Sequence, residues 1–363
     1  MYLSSFALYR YRLPFTKPLT LKGVTLDHRE GLLVRLTGGE GSEGWGETAP
    51  LPGFSGESLD EAAAQLHSLA EQVLEREGTD DWMELEGDFS RELDRLDPAP
   101  SVRFGFELAL WNLYAASSGK VLPELVTQYP RATVPVNGLL SGSPGEVLEE
   151  ARRMRDAGYR SIKLKVGVRT VAEEVALVRM LDRELGDGNS LRLDANRAWD
   201  YQEAAEFLRG AAGTRFEYVE EPLADPARLP ELVREFGVPV ALDESLVGIE
   251  PEELEEHRYA RAFVLKPTLI GGISRTLRVA ERALRLGVTP VVSSAYESGV
   301  GTAALVALAA GIGANEIPAG LDTYRRLAED VLKEALDLPA PSLDVRETAE
   351  ASRRVDVRKL EML

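Results

Sequence analysis

From about residue 132 the chain repeats one pattern: a short apolar run, a polar turn and, in most gaps, an amphipathic stretch of helical period. The runs are VPVNG, SIKLKVG, LRLDAN, EYVEEP, VPVALDE, AFVLKP, TPVVSSAYES and EIPAGLDT, separated by stretches such as PGEVLEEARRMRDAG, TVAEEVALVRMLDREL and GISRTLRVAERALRLG. Eight such units predict an α/β fold with a parallel sheet closed into a barrel of the TIM type, whose chemistry lies at the C-terminal strand ends. Residues 1–125 read differently. FALYRYRLPF, GLLVRLTG and EGWGETAP predict three strands, and SLDEAAAQLHSLAEQVLERE and PSVRFGFELALWNLYAASSGK predict helices, which makes an α+β capping module. The expected division is a cap over 1–125, a barrel over 126–339 and a charged tail over 340–363, without a matching strand, that packs back on the cap.

Three acids close successive apolar runs. Asp194, Glu220 and Asp243 are separated by 220 − 194 = 26 and 243 − 220 = 23 residues, the length of one strand–helix unit, so the carboxylates are expected on one rim. Lys163 and Lys165 precede the series and Lys266 follows it at a similar step. Side chains alternate along a strand. With Ile162, Leu164 and Val166 facing the helices, Lys163 and Lys165 face the barrel axis, and the same parity turns Asp194, Glu220, Asp243 and Lys266 inward.

Burying that many charges without a counter-ion costs many kcal/mol. Oxygen ligands with no His or Cys among them favour Mg²⁺ over Zn²⁺, with Mn²⁺ as a substitute, and leave coordination positions for a substrate. The simpler alternative is that the acids merely pair with the lysines. Lysine is scarce in this chain, eight of 42 basic residues, yet three of the eight sit at predicted strand ends. Those positions want a cation that can lose its proton, which arginine cannot do at working pH. An amine beside a divalent cation is driven toward that neutral form.

The rest of the composition narrows the function. Net charge is 42 − 60 = −18, which disfavours nucleic acid and anionic membrane as partners. Zero cysteines exclude disulfides and thiol chemistry. The three histidines, His28, His67 and His257, lie far from the predicted rim, so a Ser-His-Asp triad is not expected. No apolar stretch is long enough to span a bilayer and no signal peptide is evident; cytoplasm is the expected location. The oligomeric state is left open between monomer and homo-oligomer.

Taken together, EGWGETAPLPGFSGES, PSVRFGFELAL, KLKVG, LDANRAW, VEEP, LDESL, VLKPTLIGG and SSAYESGVG resemble the enolase superfamily, in the branch with paired lysines on opposite faces of the substrate, and within it the o-succinylbenzoate synthase family. The resemblance covers nearly the whole chain. LDANRAW with GWGETAPLPGFS is its specific part, while the shorter motifs are shared by several branches. It implies a modified (β/α)7β barrel, Mg²⁺ bound by Asp194, Glu220 and Asp243, Lys165 as acid/base catalyst, Lys266 on the other face, and Lys163 at the substrate carboxylate. The implied substrate is a small dicarboxylate, succinyl-hydroxy-cyclohexadiene-carboxylate (SHCHC), dehydrated to o-succinylbenzoate in menaquinone biosynthesis.

Other residues are candidates for supporting roles. Asn196, Glu221 and Glu244 adjoin the acids and are expected to orient them. Ser293, Ser294, Glu297 and Ser298 precede a helix whose free N–H groups suit the succinyl carboxylate. The loop Leu51–Ser58, with Phe54 and Ser55, is expected to close over the substrate. Gly299, Gly301 and Ala304 spell a GxGxxA pattern with Asp322 downstream, but too few strands remain for a nucleotide-binding half. An N-acylamino acid racemase or dipeptide epimerase would use the same inventory, and a non-catalytic barrel would use it as salt bridges.

Overall fold

The computed structural model describes residues 3–74, 88–313, 316–338 and 341–363. The cap begins with a hairpin of β1 (Leu3–Leu21) and β2 (Val24–Gly38), followed by β3 (Glu43–Thr48). Lys22 and Gly23, with φ of 44° and 82°, turn the hairpin in two residues, the left-handed geometry that glycine favours. Three helices follow, α1 (Leu59–Leu74), α2 (Asp88–Leu96) and α3 (Pro100–Ser117). The last residues of the helix predicted over SLDEAAAQLHSLAEQVLERE, 75–77, lie outside the described residues. α2 was not expected from sequence.

Helix α3 is buried along almost its whole length, from Val102 and Phe104 to Trp111 and Leu113. It lies on β3 at backbone contact: a Cβ at Gly46 would meet the carbonyl oxygen of Gly105 at 1.9 Å. Glycine on both elements lets them approach this closely, which is the physical content of the GWGET and RFGFE motifs.

A short helix, α4 (Pro123–Val126), leads to β4 (Thr133–Pro135) and then to the barrel. The barrel strands and helices alternate as β5 (Gly138–Leu140), α5 (Pro144–Asp156), β6 (Ser161–Lys165), α6 (Val171–Leu185), β7 (Ser190–Asp194), α7 (Tyr201–Gly210), β8 (Tyr218–Glu220), α8 (Leu229–Phe236), β9 (Val240–Leu242), β10 (Ala262–Leu265), α9 (Pro267–Ile270), α10 (Ile273–Arg285), β11 (Thr289–Val292) and α11 (Gly299–Gly311). Helices α5, α6 and α7 each start at a capping box, on Ser143, Thr170 and Asp200.

Strands β5 to β11 pair in chain order, all parallel. Ala319 and Gly320 close the ring as a rudimentary eighth strand, bridging Val136 on one side and Ser293 on the other. The first barrel strand sits further along than the VPVNG motif implies. Thr133–Pro135 pairs antiparallel with the tail strand β12 (Ser342–Asp344), and the parallel ladder begins at Gly138. The tail has strands of its own: after α12 (Val345–Ala351), β13 (Glu361–Met362) adds to β1 opposite Tyr9 and Arg10.

Alternation along the strands divides the core in two. Ile162, Leu164, Leu193, Val219, Leu242 and Leu265 belong to the large cluster shared with the helices. Tyr218, Ala241, Ala262, Val264 and Val291 form a separate cluster inside the ring. Three of them stand two residues below a charged rim position: Tyr218 leads to Glu220, Ala241 to Asp243 and Val264 to Lys266. The inward parity expected of the charged residues follows from the same alternation.

Candidate active site

One cavity at the C-terminal rim is lined by Lys163 and Lys165 of the second barrel strand, Asp194 and Asn196 at the third and Lys266 at the sixth. Strands two and six stand four apart in a ring of eight, so Lys165 and Lys266 approach the cavity from opposite walls. Lys165 is the register partner of Asp194, and Asp194 of Glu220. Glu220 and Asp243 lie deeper, almost wholly buried.

The acids and amines are in contact. Lys163 Nζ is 2.8 Å from Asp194 Oδ2 and 2.8 Å from both carboxylate oxygens of Glu220. Lys266 Nζ bonds Asp243 Oδ2. Burial opposes charge on both lysines, but Asp194 and Glu220 outweigh it at Lys163 and Asp243 and Glu220 at Lys266, so both amines are held above the ordinary lysine range. The expectation of a depressed lysine belongs to an amine beside a divalent cation; here the nearest charges are carboxylates. Burial also disfavours the Asp194 anion, yet Lys163 overcomes it and lowers that carboxyl. Glu220 goes the other way, pushed well up by burial and then by Asp194 beside it.

Around this centre the loops are locked in strained backbone. Asn196, Arg197, Glu221 and Tyr296 all have positive φ, between 40° and 64°, which costs energy at non-glycine residues and clusters at functional sites. Glu221, fully buried, accepts from the backbone N–H of Asp243 at 2.9 Å and of Ser245 at 2.7 Å, from the Ser245 hydroxyl at 3.0 Å and from Arg197 Nε at 3.0 Å. It thereby ties the third, fourth and fifth strand ends together. Asn196 donates its backbone N–H to Asp194 Oδ1 at 3.1 Å. Glu244 differs: both of its carboxylate oxygens are buried and accept no hydrogen bond, Lys22 of the cap hairpin standing 3.7 Å away. Burial and then Asp243 raise its carboxyl.

Phe54, Leu21 and Leu51 of the cap roof the cavity, and Ser293, Ser294, Tyr296, Asp322 and Thr323 line its far wall. Ser55 is turned inward to its own loop, accepting from the Leu51 N–H at 2.9 Å. Glu297 and Ser298 do not line the cavity. Glu297 accepts from the hydroxyls of Thr268 at 2.6 Å and Ser294 at 2.9 Å. The N-terminus of α11, expected to receive a substrate carboxylate, is taken by Glu47 of the cap, which accepts from the Ser298 N–H and the Gly301 N–H, both at 2.8 Å, and from the Tyr11 hydroxyl at 2.5 Å. Sequence reasoning did not single out Glu47, Arg197, Tyr296 or Lys22. Glu47, Arg197 and Tyr296 carried a local signal, as parts of GWGETAPLPGFS, LDANRAW and SSAYESGVG; Lys22 carried none.

Two family models match the chain: MenC, N-terminal domain, over residues 3–113, and Enolase C-terminal domain-like over residues 146–349. The o-succinylbenzoate synthase of Yersinia enterocolitica is 35% identical over 341 residues, covering 93% of this chain and 96% of that protein. The chain belongs to the o-succinylbenzoate synthase family of the enolase superfamily. Its relatives in that family include the o-succinylbenzoate synthase of Pasteurella multocida, 32% identical over 94% of this chain and 95% of that one.

Among solved structures, the L-Ala-D/L-Glu epimerase of Bacillus subtilis superposes with a TM-score of 0.82 at 26% identity, covering 95% of this chain and 96% of that one. The muconate lactonizing enzyme of Pseudomonas fluorescens superposes with a TM-score of 0.85 at 25% identity, over 99% and 98%. Both are enolase-superfamily neighbours of the synthase family, and they share the capped barrel. No helix among the described residues is long and apolar enough to cross a membrane.

Proposed function

We propose that this protein is a lyase that dehydrates SHCHC to o-succinylbenzoate in menaquinone biosynthesis, with Mg²⁺ as cofactor. The observation that carries the reading is the placement of two amines, Lys165 and Lys266, on opposite walls of one cavity, with buried carboxylates on the three strands that separate them, in a chain of the synthase family.

The donor set suits a hard divalent cation. Among the described residues no three carboxylates lie close enough to ligate one ion together as they stand; Lys163 stands between Asp194 and Glu220, and Lys266 is paired with Asp243. The electrostatics nevertheless ask for more positive charge: Glu220 is pushed toward protonation by burial and then by its neighbour Asp194, and the two buried oxygens of Glu244 have no donor. Asp194, Glu220 and Asp243 would hold the ion, with Glu221 and Asn196 setting the positions of Asp243 and Asp194 and Glu244 adding negative charge beside Asp243. When bound, Mg²⁺ supplies charge against the dianion that loss of a proton α to a carboxylate creates.

The chain's own residues do the rest. Lys165 takes the α-proton of SHCHC. The carbon–oxygen bond to the hydroxyl then breaks, and the same lysine returns that proton to the departing hydroxyl, so water leaves and the ring becomes aromatic. Lys163 donates to the substrate carboxylate. Lys266 transfers no proton in this scheme; its ammonium faces the planar ring from the other wall, as it already stands 5.6 Å from the ring centroid of Phe54. Leu21, Leu51 and Phe54 exclude water from the developing charge. The reading carries a cytoplasmic location and tolerates Mn²⁺ as another hard divalent ion.

The test offers the purified protein SHCHC and N-succinylamino acids with Mg²⁺ in heavy water. Dehydration of SHCHC supports the synthase. Exchange of the α-hydrogen of an N-succinylamino acid without any dehydration would instead favour the racemase chemistry available to the same lysines.

A further inference from the structure

Arg29, on β2 of the cap, is 2% exposed and spends its guanidinium on carbonyl oxygens alone. Within the cap it donates to Ala49, to Pro50 at 2.7 Å and to Glu30 at 3.0 Å. Across the interface it donates to Tyr296 at 3.2 Å and to Ala295 at 3.4 Å. A planar fork with several donors in fixed directions can bridge two backbones in this way, and a lysine cannot.

One of the two backbones leads into the roof of the cavity and the other forms part of its far wall. Ala49 and Pro50 lead directly into Leu51 and Phe54, while Ala295 and Tyr296 lie in the loop that follows the seventh barrel strand. Leu21, Leu51 and Ala295 pack together with Phe54 and Tyr296 into one small apolar cluster, and Tyr296, at φ 64°, is held in a backbone conformation that needs external support. Glu47, two residues before Ala49, anchors the next stretch of the same barrel segment at Ser298. The cap's roof therefore rests on the barrel's far wall through this cluster, with Arg29 as the bridge over the seam.

We infer that Arg29 is a positioning residue: through Ala49–Pro50 on one side and Ala295–Tyr296 on the other it fixes the height of the apolar roof over the substrate, and so governs how tightly the substrate's uncharged portion is held. It touches neither substrate nor ion. The inference rests on the proposed dehydration, because the part of the substrate beneath the roof is defined by that reading.

The experiment compares the full-length protein with Arg29→Met and Arg29→Lys. Hydrogen–deuterium exchange of the substrate-free proteins is read at residues 49–58 and 293–298, and KM and kcat are read with SHCHC and Mg²⁺. In Arg29→Met, exchange at those two segments rises at least about tenfold while the rest of the barrel is unchanged. KM rises about tenfold or more and kcat stays within about threefold, the pattern of lost binding that ground and transition states share. Arg29→Lys falls between the two. If Arg29→Met does not fold, Arg29→Lys carries both measurements. Faster exchange with KM unchanged, or a fall in kcat at constant KM, overturns the inference, since a purely structural arginine lowers only the amount of active protein. Wild-type KM and kcat together with wild-type exchange at both segments in Arg29→Lys and Arg29→Met overturn it equally. Failure of the wild type to dehydrate SHCHC is a separate result, against the proposed function, and the exchange data still decide whether Arg29 holds the roof.

Discussion

Lys163 Nζ lies 2.8 Å from both carboxylate oxygens of Glu220, although a whole strand, β7, separates β6 from β8, and Asp194 on that strand is equally close. One ammonium thus bridges two acids of an acid-rich rim. Stripping divalent ions with a chelator is expected to leave the protein folded, because each of the three acids keeps a lysine contact. Adding Mg²⁺ at about a hundred times its Kd is expected to stabilise by about 2.7 kcal/mol, a rise of a few degrees in Tm. In Glu220→Gln that rise disappears. Thermal melts with and without Mg²⁺ check this, and an equal rise in the variant would remove Glu220 from the ion's ligands.

Lys165→Ala removes the general base. Such groups contribute typically about 10²–10⁴-fold, so turnover of SHCHC falls by at least about 10²-fold while circular dichroism and melting stay close to wild type. Lys266→Arg keeps a positive charge at the opposite wall and retains measurable dehydration. Full activity in Lys165→Ala would exclude its role.

Asp322 on the far wall is pushed up to about 6 by burial, against the opposing pull of Arg325. Its folded value exceeds the ordinary carboxylate value near 4, so between about pH 4 and 6 the folded state holds the proton and the unfolded state has lost it. The stability this group contributes is present below that window and is lost as pH rises through it, by roughly 2–3 kcal/mol. Asp322→Asn can still accept from the Leu139 N–H, which bonds Asp322 Oδ2 at 3.0 Å. The variant should therefore melt above wild type at pH 7.5 and converge with it near pH 4. A difference independent of pH would contradict the assignment.

Glu47→Ala leaves the Tyr11 hydroxyl, the Ser298 hydroxyl and N–H and the Gly301 N–H without their acceptor in a buried interface. Losing one such acceptor costs about 1–3 kcal/mol, and the variant is expected to unfold by at least about that much less urea-derived free energy than wild type. Glu47→Gln, which keeps an acceptor oxygen, should lose less.

The rim residues were legible because each ends an apolar run, where strand alternation leaves two choices and burial of Ile162, Leu193, Val219, Leu242 and Leu265 against the helices decides between them. The seam between cap and barrel was not legible. Glu47 and Ser298 are 251 residues apart, as are the strands that Arg29 bridges by a similar separation, and nothing local in either segment announces the partner. The free N-terminus of α11 therefore read as a ligand site when it is a joint. The same blindness applies to the first barrel strand, where VPVNG has strand character throughout but the tail strand β12 captures its beginning. The close packing of GWGET on RFGFE through Gly46 and Gly105 likewise had no signal in either motif alone.

The most direct test of the central claim is the initial rate of o-succinylbenzoate formation from SHCHC as Mg²⁺ is titrated into chelator-stripped protein. A folded protein that is inactive without the ion and gains activity along a saturating curve is the predicted result. Folded protein that forms no product at any Mg²⁺ concentration, or forms it equally well with the ion removed, would contradict it.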